Sequence, residues 1–168
     1  RKAGTAASGN GNTDAQEEVL VAIGGLAGAS GTVGLKAPTV VALRFVTDTP
    51  TAGSSKTVTV EVTYDEAVTV VTSGGTPTLT VANGNEGSGT GRTCVLSYTA
   101  TGSTDNQIRF TASNITVAED DVLTLGGGSQ ANIVLNSGTI SDTVRGGTNQ
   151  AASLVLTAIT AQTQTVTA

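Results

Sequence analysis

The side chains best suited to chemistry in this chain are its carboxylates. Asp65-Glu66, Glu119-Asp120-Asp121 and Asp142 fall where apolar runs end. Oxygen ligands on such loops can hold calcium, and paired carboxylates can serve as acid and base in glycoside hydrolysis. Their spacing is not that of a helix-loop-helix calcium loop. Sugar cleavage also favours aromatic platforms, and Tyr64, Tyr98, Phe45 and Phe110 are the only rings in the chain, mostly in phase with core positions. Charges that blunt the ends of strands are the simpler account of these acids. No catalytic residue, metal or cofactor is expected.

The other routes to catalysis lose their central residue. There is no His, which removes the usual general base, the usual zinc ligand and the switch near neutral pH. Without it a Ser-His-Asp triad cannot form, and no Ser-x-x-Lys occurs to replace it. The glycine-rich stretches 83–91 and 126–128 lack the Gly-Lys-Ser/Thr ending of a phosphate loop and read as turns. Cys94, the single cysteine, has no internal partner for a disulfide and sits in the strand-like TCVLSYT as a small buried hydrophobe. Asn114-Ile115-Thr116 fits a glycosylation sequon, which depends on a secretory route. No enzyme is expected.

Charge narrows the partners. A formal net charge of −5 and the lack of any Lys/Arg cluster argue against nucleic acid. No apolar run approaches the roughly 18 residues of a membrane span, so no membrane contact is expected. The N-terminus has the cations of an export signal but not its apolar run.

The elements that carry these residues are strands. Val58, Val60, Val62 and Tyr64 alternate with Thr57, Thr59, Glu61 and Thr63, giving one buried and one wet face. After the charged corner Asp65-Glu66, residues 67–71 resume on another edge. A first strand is expected over 39–46, a hairpin from 76–82 and 92–99, and strands around Ile108 and Phe110, 122–125, 133–135, 139–140 and 151–159. Turn signals every 8 to 12 residues or so indicate an all-β sandwich. With aromatics scarce, the core must rest on Val, Leu, Ile and Ala and is thin.

The ends differ. Residues 1–36 read as an arm. Asp14 with Glu17 resembles a capping box, and a short helix is expected over about 14–26, with Val19, Leu20, Ile23 and Leu26 on its apolar stripe. Residues 28–36 form a tether. Residues 158–168 read as an extended tail whose QTQTVT alternation can pair at a sheet edge.

APTVVAL, TVTVEVTYDEAVTV, GTPTLTV, CVLSYTATG and LNSGTISDTVRGGTNQAASLVL follow one another in an order that resembles the bacterial Ig-like repeats of large cell-surface proteins, modules of a kind also found on tailed-phage virions. The resemblance implies an Ig-like β-sandwich over 37–157. It further implies a non-catalytic structural protein, with decoration of a tailed-bacteriophage capsid as the expected role and a spacer or binding module of a bacterial surface adhesin as the alternative. The expected partners are the major capsid protein or other virion subunits, with the chain homo-oligomeric on the particle. Its location would be the virion, or in the alternative the cell surface or medium. The expected contact residues are Val19, Leu20, Ile23 and Leu26 of the arm, and Thr163 and Val166 of the tail.

Overall fold

The computed structural model describes residues 2–3, 17–18, 37–47, 50–84, 92–142 and 149–168. All its regular elements are strands, with no helix among the described residues. β1 (Lys2–Ala3) and β2 (Glu17–Glu18) pair antiparallel with each other. Of the segment 14–26 expected to be helical, Glu17 and Glu18 are thus described as extended. Val19, Leu20, Ile23 and Leu26 lie outside the described residues.

The main body is one antiparallel sheet of seven strands. These are β3 (Val40–Phe45), β4 (Gly53–Tyr64), β6 (Thr78–Gly84), β7 (Arg92–Thr99), β8 (Gln107–Val117), β9 (Val122–Leu125) and β11 (Gln162–Thr165). Their spatial order is β11-β9-β6-β7-β8-β4-β3. β6, β7 and β8 form a meander, and β9 returns to lie beside β6, which is a Greek key. β5 (Thr69–Val71) and β10 (Thr139–Ser141) make a second, small sheet. β5 is where the chain continues after the Asp65-Glu66 corner, in this second sheet.

Alternation explains the core. Val58, Val60, Val62 and Tyr64 on β4 are all fully buried, as are Leu79 and Val81 on β6, Leu96 on β7, and Ile108 and Phe110 on β8. Cys94 is buried among them. Tyr98 stands opposite Phe110 in the β7–β8 register, and their rings meet edge-on with centroids 6.2 Å apart. The irregular apolar pattern of 39–46 has a cause in the register shift between Val40 and Ala42, where β3 bulges against β4.

Two offset bulges bend the longest ladder. Between Val58↔Ala112 and Lys56↔Ile115, β8 carries one extra residue, and between Lys56↔Ile115 and Gly53↔Val117, β4 does. Asn114 (φ 62°) and Ser55 (φ 62°) take the left-handed conformation at these points. Each bulge sharpens the twist, and because they sit on opposite strands the register recovers. The sheet thereby rolls until its two edge strands approach, and the Gln164 Nε2 amide donates to the Thr47 carbonyl across the gap at 2.9 Å. The C-terminal segment seals one end, where Ala52 N–H donates to the Thr167 carbonyl and Thr167 N–H to Pro50.

The small sheet lies against the other end. Asn136 and Ser137 both have positive φ, forming the left-handed pair of a type I′ turn closed by Gly138 N–H to the Leu135 carbonyl. That turn interlocks with the 72–76 loop so closely that a Cβ at Gly74 would overlap the Ser137 carbonyl oxygen. Only glycine fits there.

Two expected strands are not ladders. Of 133–135, only Val134 bridges, to Thr78. Residues 151–159 contain one bridge, Ala151 to Ser141, and then cross over the core. Leu156 is fully buried in that crossing, but backbone groups there bond to scattered partners, Ser153 N–H to Pro38 and the Leu154 carbonyl to Ile133 N–H. Burial without a continuous neighbour explains why an apolar run there forms no strand.

Phe110→Ala removes the largest ring shared by the β7–β8 face of the core. It is expected to cost roughly 3–5 kcal/mol of unfolding free energy, read from the urea midpoint at unchanged slope.

Candidate partner-binding surface

The outer face of the sheet carries hydroxyls in rows. In register across the strands stand Thr78, Ser97, Thr111 and Thr59. Thr59 and Thr111 share a hydrogen bond between their hydroxyls at 2.9 Å, and Thr59 N–H donates to the Thr47 hydroxyl. Around this row lies a groove of about 390 Å³ lined by Thr47, Thr59, Thr99, Thr101, Thr111 and Arg109. Threonine suits these positions because its branched Cβ fits the pleated surface while its hydroxyl bonds locally or to a ligand.

The neighbouring row carries the charges. Arg44 on β3, Glu61 on β4 and Arg109 on β8 stand directly opposite one another. Arg44 Nε donates to Glu61 Oε1 at 2.7 Å and Arg109 Nε to Oε2 at 3.0 Å. Glu61 belongs to the face that alternation assigns to solvent, yet its side chain is only 1% exposed, because the two guanidinium groups cover it. Burial alone would raise its pKa. The hydrogen bonds and charges of Arg44 and Arg109 outweigh that and hold the carboxyl below its ordinary value. Hydrogen bonding to Glu61 raises the pKa of Arg44 in turn. Arg109 lies over the 101–103 turn, where Gly102 (φ 75°) has no side chain to obstruct it. Sequence reasoning passed over this triad; the available signal was one outward-phase Arg in each of two other strands.

Three of the acids singled out by sequence, Asp65, Asp121 and Asp142, hold backbone. Asp65 accepts from Thr39 N–H at 2.7 Å and from the Thr39 hydroxyl at 2.6 Å, fixing the entry to β3. Asp121, fully buried, accepts from Asn83 Nδ2 and from Ala118 N–H. Asp142 accepts from Gln150 N–H. These positions lie far apart in the fold's connections, and no cluster of three or more His, Cys, Asp or Glu suited to a metal occurs among the described residues. Tyr64 is buried with its hydroxyl donating to the Ser153 carbonyl, and burial raises its pKa.

The tail residues part company. Thr163 is exposed on β11, opposite Thr124. Val166 is 1% exposed, within the chain's own core, and its N–H and carbonyl bond to Asp121 and Asp120. The QTQT of 162–165 therefore pairs with β9 of the same chain, leaving the outer edge of β11 as one margin of the sheet. The other margin is β3, where Val41 is 51% exposed.

A comparison with family models, curated proteins and solved structures finds no match to this chain.

Because the pKa of Glu61 is lower folded than unfolded, its stabilisation is complete above the unfolded value and is lost as pH falls through the folded one. Glu61→Gln is therefore expected to lose roughly 1–3 kcal/mol at neutral pH and to flatten the decline in melting temperature below about pH 4.5, measured by thermal melts across the acid range.

Proposed function

We propose that this chain is a non-catalytic structural protein that works by attachment to a large assembly, as an Ig-like module decorating the capsid of a tailed bacteriophage. The observation that carries the structural half of this reading is the use to which the carboxylates are put. Glu61 ties three strands together, while Asp65, Asp121 and Asp142 each fix a backbone segment. These four carboxylates are engaged in holding the fold. The surface open to a partner includes the hydroxyl row and the sheet margins. Such surfaces suit extended, many-contact attachment to a repeated protein lattice. The virion half rests on the order of the sequence features that resembles bacterial Ig-like repeats, modules of a kind also found on tailed-phage virions.

One observation favours the alternative of a spacer in a surface adhesin. The body receives the chain at Pro38, bonded to Ser153 at the end where Val40 meets Tyr64, and releases it at Thr167, bonded to Pro50 and Ala52 beyond the far end of β3. Entry and exit at opposite ends are what a module threaded in a linear array needs.

Mixing the full chain with empty tailed-phage capsids and measuring bound copies by sedimentation separates the two. Saturable loading that is lost when residues 1–36 are removed is expected for an arm-anchored decoration protein. Failure of the full chain to load overturns the virion reading in favour of the spacer.

A further inference from the structure

The groove over the hydroxyl row holds hydrogen-bonding groups that the fold does not use. Arg109 bonds to Glu61 through Nε, and its Nη1 and Nη2 make no hydrogen bond among the described residues. Nη1 lies so close over Gly102 that a Cβ there would overlap it, which sets this end of the guanidinium next to Thr101. Thr99 stands opposite Arg109 in the β7–β8 ladder, and all three residues line the groove of about 390 Å³. The Arg109 side chain is 27% exposed, so its free donors have lost part of their water without gaining a protein partner.

The hydroxyls divide by counting protons, one to each. Thr111 gives its proton to the Val58 carbonyl at 3.3 Å, so Thr59 donates in the bond between the Thr59 and Thr111 hydroxyls, and the Thr59 oxygen keeps a lone pair for an outside donor. The Thr99 hydroxyl accepts from Thr101 N–H, and its proton is unspent among the described residues, as is the Thr101 hydroxyl. The groove therefore has donors at the Arg109 end and an acceptor at Thr59. Thr59 and Arg109 are diagonal neighbours across the β4–β8 ladder, a separation of about 7–8 Å.

A ligand that answers this pattern has an acidic acceptor on one side and a hydroxyl on the other, at the span of one pyranose ring with its substituents. Glu61 already takes one of the two arginine charges in its row, which leaves one positive unit and matches a single carboxylate better than a phosphate dianion. Val46, the one hydrocarbon side chain of the lining, and the threonine methyls can meet the C–H edges of a ring. That is too little apolar wall to hold the side chains of a peptide. We propose that the groove binds a sugar acid, with its carboxylate accepting from Arg109 Nη1 and Nη2 and from the Thr99 and Thr101 hydroxyls, and a ring hydroxyl donating to Thr59 Oγ1. The net charge of −5 works against non-specific polyanion binding, so recognition depends on these short bonds. The site goes beyond attachment to an assembly: it gives the body a ligand of its own, acidic polysaccharide, whatever carries that body.

The test titrates the isotope-labelled full chain and follows its amide NMR shifts at about 0.15 M salt. The probes are the methyl glycosides of glucuronic, galacturonic and sialic acids, with methyl glucoside and N-acetylaspartate amide as controls. At least one sugar acid is expected to give saturable shifts centred on Thr59, residues 99–103 and Arg109. Its affinity is expected to exceed that of both controls about tenfold or more, since the glucoside lacks the charged acceptor and the aspartate lacks the ring hydroxyls. No saturable shift with any of the three, or shifts centred on another face, overturns the proposal. Aspartate binding as tightly as the best sugar acid overturns it in favour of an acidic peptide. Arg109→Lys keeps a cation beside Glu61 but loses the paired Nη donors, and is expected to weaken binding about tenfold. Thr101→Val, on an exposed turn, is expected to weaken it about two- to fivefold at an unchanged melting temperature. Unchanged affinity in either variant overturns the proposal. No readout involves a particle, so the capsid-loading result stands or falls separately.

Discussion

The pairing of β4 with β8 is the constraint on which the rest of the domain depends. It joins residues some fifty positions apart, sets Val58, Val60 and Val62 beside Ala112, Phe110 and Ile108 on the inner side, and sets Glu61 beside Arg109 on the outer. Its two opposed bulges supply the bend that lets a sheet with few large rings enclose its own inner face. A flat sheet built from the same valines and leucines would leave that face wet, since the second sheet is too small to cover it. Closure by rolling compensates for the missing aromatic area, and the end seals at Thr167 and at the 135–138 turn follow from it.

The same ladder organises the surface. Once β3, β4 and β8 are in register, a glutamate and two arginines meet in one row, and with β7 and β6 added four hydroxyl residues stand in the next. The ion triad is stable because the carboxylate keeps two charged donors where it loses water, while the arginines keep part of theirs. Its role is to bind three strands on the outside as the valines do on the inside. The hydroxyl row remains, a surface that can exchange hydrogen bonds with water or protein at little electrostatic cost.

Much of this was legible in the sequence, for a definite reason. Alternation reports which face a side chain occupies, so β4, the β6–β7 hairpin and the inward pair Ile108 and Phe110 of β8 could be read directly. Alternation does not report neighbours. It could not show that Glu61 would be roofed by Arg44 and Arg109, that the tail would pair with β9, or that 151–159 would bury Leu156 without joining a ladder. Those outcomes depend on strands brought together from distant parts of the chain. The arm residues Val19, Leu20, Ile23 and Leu26 fall outside the described residues, and the hydroxyl groove had no sequence signal beyond a high threonine content.

The seal at Pro50, Ala52 and Thr167 has a consequence in time. A ribosome adding about 5–20 residues per second takes roughly 5–21 seconds to go from Tyr64, the end of β4, to Thr167. Through that interval β3 and β4 have been made while the segment that closes their end has not. Until it arrives, that end of the sheet lacks the bonds that Thr167 exchanges with Pro50 and Ala52.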